Sequence, residues 1–135
     1  MQKIILSQAD KKILSEYAEK EEPNESCALL FGKDDHVSKI FLTKNIEESP
    51  VKFTISNEEL IKGYKMAEDE NMEVVGIFHS HPNSDAYPSS TDKKFMNINP
   101  IAWIIYSGIT KDFRAYVFLE SEISEISVEE RQIKD

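Results

Sequence analysis

Apolar residues along this chain fall into short runs whose spacing alternates between the periods of strands and helices. Lys3–Leu6 predicts a short strand. Ser7 follows as a helix N-cap, with Asp10 three residues on as its capping-box partner. Ala9, Ile13 and Tyr17, with Leu14 and Ala18, share one helical face, which predicts a helix over Gln8–Glu21 stopped by Pro23-Asn24. Ser26–Phe31 (SCALLF) predicts an apolar strand ending at Gly32, and after a turn at Lys33–Asp35 the alternating stretch Val37–Thr43 completes a hairpin.

Beyond a polar loop at Asn45–Pro50, Lys52–Ile55 predicts a further brief strand. Ser56 with Glu59 is a second capping box, and Leu60, Ile61, Tyr64 and Ala67 give an apolar face to a helix over Asn57–Glu70, ended by Asn71. Glu73–Phe78 (EVVGIF) is a buried strand, and a short third helix starts at Ser89 or Ser90 and runs to about Ile98, ended by Asn99-Pro100. Ile101–Tyr106 (IAWIIY) is apolar throughout, as a central strand buried on both faces is. Gly108–Asp112 turns the chain and Phe113–Leu119 alternates as a strand. Ile123, Ile126, Val128 and Ile133 mark a last edge strand or a loosely packed tail. The order β-α-β-β-β-α-β-α-β-β describes an α/β fold of the α+β, mixed-sheet kind with helices packed on the sheet.

Length and charge narrow the function. The 135 residues are the size of one domain, so residues 1–135 are expected to form a single unit with one core. The formal net charge is −9 with no basic stripe, which argues against nucleic acid and against anionic membrane surfaces. The single cysteine, Cys27, excludes an internal disulfide and fits a reducing, cytoplasmic setting. No run approaches the roughly 20 apolar residues that span a bilayer.

Two of the three histidines stand one residue apart in HSHPNSDAYPSSTD, from His79 to Asp92. At the C-terminal end of a strand, His79 and His81 point to the same side. Two neutral imidazoles there are suited to sharing a cation, and a catalytic zinc typically takes three protein ligands and one water. Asp92 is the candidate third ligand, brought back by a loop that Pro82 and Pro88 restrict. A His₂Asp set suits zinc, with iron or manganese as alternatives. Ser89-x-x-Asp92 also reads as a helix capping box, and the two roles are compatible because a cap would fix the Asp92 rotamer. Hydrolysis needs a base that is not a ligand. Among many acids placed on helix faces and turns, Glu25 differs: it lies at the mouth of the apolar strand, between a Pro-Asn break and SCALLF.

The pattern resembles the JAMM (MPN-plus) metalloproteases, which cleave ubiquitin and ubiquitin-like proteins from their conjugates. Their signature is a glutamate, then H-[ST]-H-P, six residues, Ser, two residues and Asp. Here His79-Ser80-His81-Pro82, Asn83–Pro88, Ser89, Ser90-Thr91 and Asp92 fit it without a gap. Pro23–Gly32 is similar to the family's P-x-E-x-C-G-L-L-x-G segment, with Ala28 where Gly is usual. Phe53-x-Ile55-Ser56, Glu59-Leu60 and Val74-Val75-Gly76 are also similar to family positions, so the resemblance covers nearly the whole chain. It implies a deaminase-like fold with the sheet sandwiched by helices. It further implies zinc held by His79, His81 and Asp92, Glu25 as general acid/base on the activated water, and Ser89 as a stabiliser of the oxyanion. Cys27 is expected to be a small buried hydrophobe, His36 a solvated surface residue and Trp103 a core residue.

The chain is near the minimum size for the family and leaves no room for the two insertions with which eukaryotic relatives grip ubiquitin, so it resembles an archaeal or bacterial stand-alone member. The implied substrate is a ubiquitin-like or sulfur-carrier protein joined through its C-terminal Gly-Gly. That tail is expected to add as a strand beside an exposed edge, either Ser84–Tyr87 or the segment after Lys52. Two alternatives stand beside the isopeptidase reading: release of an amino acid such as cysteine from a sulfur carrier, and a non-catalytic MPN scaffold. Nucleobase deamination, an analogy of fold alone, lacks the expected P-C-x-x-C ligand pair.

Overall fold

In the computed structural model, which describes residues 1–131, ten elements follow one another. They are β1 (Lys3–Ser7), α1 (Gln8–Glu21), β2 (Cys27–Lys33), β3 (His36–Thr43), α2 (Asn57–Asp69), β4 (Glu73–His81), α3 (Ser90–Met96), β5 (Ala102–Ser107), β6 (Phe113–Leu119) and β7 (Glu122–Arg131). The strands are hydrogen-bonded in the order β1-β3-β2-β4-β5-β6-β7 and close into a barrel where β7 runs parallel to β1. The closure is uneven: β1 meets β3 at a single pair, Ile5 with His36. The ladders are mixed, with β4–β5 parallel and β2–β4 antiparallel.

The apolar runs explain the two layers of core. Leu14 and Ala18 of α1 pack with Ile4, Leu30, Phe78, Ile104 and their neighbours on one side of the strands. Ala67 of α2 and Met96 of α3 pack with Leu29, Phe31, Ile77, Trp103 and Ile105 on the other. The strands β2, β4 and β5 thus lie between α1 and the α2/α3 pair, as the mixed-sheet expectation required. Gly63 lets α2 approach closely, since a Cβ there would meet Leu29 Cδ1 at 2.5 Å.

Several local expectations are corrected. Lys52–Ile55 is not a strand; its Thr54 N–H bonds to the Asn45 side chain rather than to a ladder. Phe53 and Ile55 pack into the α2/α3 core instead, which accounts for their alternation. The last strand is neither an edge nor a loose tail, because β7 is paired on both sides; Ile133 lies outside the described residues. Strand β4 runs three residues beyond Phe78, through His81, carried by its pairing with β5 as far as Ser107. Helix α3 ends at Met96 rather than Ile98. Two of the three capping boxes are half-formed. Ser7 and Ser56 accept from the Asp10 and Glu59 N–H groups. The Glu59 carboxylate, however, accepts from Lys44 N–H, and Asp10 Oδ2 is buried without a partner. On α2, Ile61 and Tyr64 are exposed, and the buried stripe is Gly63 and Ala67.

Candidate metal centre

His79 and His81 sit on one face of β4 because strand residues two apart share a side. Their Nε2 atoms are 3.1 Å apart, and each faces Asp92 Oδ2, at 3.0 and 3.1 Å respectively. All three residues are buried, His79 completely. Asp92 is delivered by α3, whose capping box is complete: Ser89 Oγ accepts from Asp92 N–H at 3.1 Å, and Ser89 N–H donates to Asp92 Oδ2 at 2.9 Å. The helix cap and the converging carboxylate are therefore one arrangement, as the two compatible roles of Ser89-x-x-Asp92 require.

The donor set fits a cation. Four-coordinate zinc with bonds of about 2.0–2.1 Å spaces its ligand atoms about 3.3 Å apart, close to the 3.0–3.1 Å triangle found here. His81 Nδ1–H donates to the Asp85 carbonyl at 2.8 Å, so the Nε2 of neutral His81 is a lone pair aimed at another acceptor, Asp92 Oδ2. Either a proton on His81 or a cation at the centre of the triangle relieves that repulsion. Burial pushes the pKa of His79 down, which favours the neutral, ligating form. His81 is opposed by burial, but hydrogen bonds with Asp92 and the Asp85 carbonyl and the charges of Glu25 and Asp92 hold its pKa above the ordinary value. Burial would raise Asp92, yet its hydrogen bonds with both imidazoles and with Ser89 hold it far below the usual carboxylate range.

The surroundings hold these side chains still. Phe53 stacks on the His79 ring at 4.6 Å, and Trp103 meets it edge-on at 6.0 Å. Trp103 is a core residue, 2% exposed. The loop from Pro82 to Ser89 is pinned by Ser107 Oγ on the Ser84 carbonyl (2.7 Å) and Tyr116 Oη on the Ala86 carbonyl (2.7 Å). Gly108 is needed beneath it, since a Cβ there would lie 2.7 Å from the Pro82 carbonyl oxygen.

Glu25 lies two residues ahead of β2, the strand next door to β4. The antiparallel register sets Cys27 opposite His79, so two residues back Glu25 stands at the level of His81. A buried clasp fixes that level: Ser80 Oγ accepts from Ser26 N–H at 2.8 Å and from Ser26 Oγ at 2.9 Å. Ser80 N–H in turn donates to the Ser26 carbonyl at 3.0 Å. Glu25 is 3% exposed and its Oε1 has no hydrogen-bond partner. Burial, with the nearby Asp92 charge adding and His81 opposing, pushes its pKa up to about 8. It lies outside the cluster of His79, His81 and Asp92.

The remaining sequence candidates do not join the centre. Cys27 is fully buried and held by Thr43 Oγ1 at 3.2 Å, and burial pushes its thiol up to about 12, an inert packing residue. His36 is an exposed partner of Asp35 at 2.8 Å. Asn45, read only as loop, is a hub: its amide donates to the carbonyls of Glu25 and Lys52, and its oxygen accepts from Glu47 and Thr54 N–H. The opening Asn of a polar loop after an apolar strand is the signal that marks it, since Asn readily bonds local backbone.

Comparison with known proteins shows the family. A family model described as prokaryotic homologs of the JAB domain matches residues 7–118. The chain is 39% identical over 105 residues to a desampylase of Pyrococcus furiosus, covering 77% of this chain and 74% of that one. It is 28% identical over 116 residues to the CysO-cysteine peptidase of Mycobacterium tuberculosis, covering 81% and 78%. A solution structure of a Desulfitobacterium hafniense protein superposes with a TM-score of 0.87 at 24% identity, covering 96% and 94%, a likeness of fold. No helix among the described residues is long and apolar enough to cross a membrane. The chain belongs to the prokaryotic homologs of the JAB domain and is a JAMM-type (MPN-plus) hydrolase.

Proposed function

We propose that this hydrolase is a zinc isopeptidase that cuts the bond after the C-terminal Gly-Gly of a ubiquitin-like or sulfur-carrier protein. The observation that carries the reading is the 3.0–3.1 Å triangle of two imidazole nitrogens and one carboxylate oxygen, with the buried Glu25, its Oε1 unpartnered, just ahead of the adjacent strand β2. His79 and His81 through Nε2, and Asp92 through Oδ2, would hold the ion. Bound there, zinc would acidify a water and polarise the scissile carbonyl.

The chain's own groups do the rest. Glu25, with its Oε1 buried and unpartnered, takes a proton from the attacking water and hands it to the leaving nitrogen. Its raised pKa suits a carboxyl that must both accept and return a proton near neutral pH. Ser89 uses its oxygen to accept from Asp92 N–H, which leaves its own O–H to donate to the carbonyl oxygen as that oxygen gains charge. The carbonyls of Ser84, Asp85 and Ala86 already accept from Ser107, His81 and Tyr116. The stretch after Lys52 is engaged too, with the Lys52 carbonyl accepting from Asn45, Thr54 N–H donating to Asn45 and the Thr54 carbonyl accepting from Ile46 N–H, so both stretches stay candidates for the edge along which an extended tail adds.

The desampylase relative, by its name, supports a conjugate as substrate. The mycobacterial relative, named a CysO-cysteine peptidase, supports the second reading, release of cysteine from a sulfur carrier with the same residues in the same roles. A reducing, cytoplasmic setting is part of this reading, and the lone buried thiol is compatible with it. The test is cleavage of a lysine-linked conjugate against a C-terminal cysteine adduct, each with Glu25→Gln as control. Glu25→Gln is expected to keep the metal and lose roughly 10²–10⁴-fold in rate; undiminished turnover of both substrates rules the mechanism out.

A further inference from the structure

Glu25 stands outside the strand ladders, yet its own peptide groups are both engaged. Its N–H donates to the Ser49 carbonyl at 2.8 Å, and its carbonyl accepts from Asn45 Nδ2 at 3.0 Å. Both partners belong to the loop of residues 44–56 that joins β3 to α2. Buried backbone groups beyond the end of a strand need such partners, and Oε1 of the Glu25 side chain has none. The clasp of Ser26 on Ser80 holds the next residue to β4. The Glu25 main chain itself is held by the loop.

One side chain organises that loop. Asn45 is buried, and its amide fills both of its donor and both of its acceptor positions. Nδ2 donates to the carbonyls of Glu25 and Lys52, each at 3.0 Å. Oδ1 accepts from the Glu47 and Thr54 N–H groups, at 3.0 and 3.1 Å. Two carbonyls on one side and two N–H groups on the other fix which way the amide points. Lys52 and Thr54 flank Phe53, the ring stacked on His79 at 4.6 Å. The amide therefore grips the peptide that carries the carboxyl and the peptides on either side of the ring that covers His79. An aspartate of the same size would keep the acceptors and lose both donors.

We propose that Asn45 is a positioning residue for the reaction and acts through Glu25: by holding the Glu25 carbonyl, its amide keeps the carboxyl at the level of His81. The inference rests on the reading of Glu25 as the proton carrier. A mere loop staple, once removed, costs folding or metal. A positioning group costs the proton-transfer step, because misplacement on the order of 1 Å can cost about 10²-fold in rate.

The test compares Asn45→Ala, Glu25→Gln and the double variant, each loaded with zinc. The substrate is a ubiquitin-like protein joined through its C-terminal glycine to a fluorescein-labelled lysine peptide. Asn45→Ala is expected to lower kcat about 10- to 100-fold, with KM and zinc affinity within about threefold of wild type. In the Glu25→Gln background it is expected to lower the rate no further, since residues that act as a unit are not additive. In metal-free protein the Glu25 amide is expected to exchange its hydrogen about tenfold faster in Asn45→Ala, while the Ser26 amide, held by Ser80, keeps its protection. Asn45→Asp keeps the acceptor for the Glu47 and Thr54 N–H groups. It is expected to give the same pattern, and it decides the matter where Asn45→Ala fails to fold. Unchanged kcat, unchanged exchange at Glu25, a further loss on top of Glu25→Gln, or a rate loss matched by loss of zinc overturns the positioning role alone. Undiminished turnover by Glu25→Gln overturns the hydrolytic reading and this role with it.

Discussion

Replacing Ser80 by alanine isolates the contact that ties the proposed base to the proposed ligands. Ser80 stands between His79 and His81 and points to the other side of β4. Its oxygen accepts two hydrogen bonds from Ser26, the residue after Glu25, at 2.8 and 2.9 Å. Both residues are 2% exposed or less, so water is a poor substitute. Ser80→Ala leaves the Ser26 N–H unpaired in a buried setting, which costs about 1–3 kcal/mol. The Ser26 hydroxyl can rotate, and its lost bond adds about 0.5–1.5 kcal/mol. The sum, about 1.5–4.5 kcal/mol, is a large part of the stability of an ordinary domain. Ser80→Thr keeps the acceptor oxygen and should recover most of the loss. Urea unfolding measures the cost, and turnover by the same variants reports whether Glu25 has moved. A Ser80→Ala protein within about 0.5 kcal/mol of wild type refutes the clasp as the element that fixes Glu25 against β4.

Two further consequences follow from buried contacts. The Cys27 thiol, fully buried and pushed up to about 12, should resist an aromatic disulfide reagent at pH 8 in the folded protein and react once urea unfolds it; prompt reaction of native protein contradicts the packing role. Gly108→Ala sets a Cβ against the Pro82 main chain, where the oxygen lies at 2.7 Å and two carbons at 3.2 Å. A thermal melt and a zinc titration should show about 1–3 kcal/mol of destabilisation and weaker metal binding through the displaced His81; an unaffected variant means the loop yields freely.

Much of the centre was legible because its parts are local. His79 and His81 share a side by strand periodicity alone, and Ser89-x-x-Asp92 announces its own cap. Glu25 was singled out by its place before an apolar strand, but its level beside His81 depends on β2–β4 register, which no single segment encodes. The same holds for β7. Its acidic sequence, with only Ile126 buried, reads as an edge, and only its parallel pairing with β1 closes the barrel. Phe53 and Ile55 alternate like strand residues, yet their side chains are spent on covering His79 and the α2/α3 core. Tyr116 belongs to an ordinary alternating strand, and its hold on the Ala86 carbonyl across 30 residues is a tertiary fact.

The proposed function turns on one zinc held by His79, His81 and Asp92. The most direct measurement titrates zinc into metal-free protein while following hydrolysis of a lysine-linked conjugate, beside Asp92→Ala. No turnover is expected without metal, with a rate rising to a plateau at one equivalent and no rise in the Asp92→Ala protein. Full turnover by the metal-free chain, or an equal response from Asp92→Ala, would contradict it.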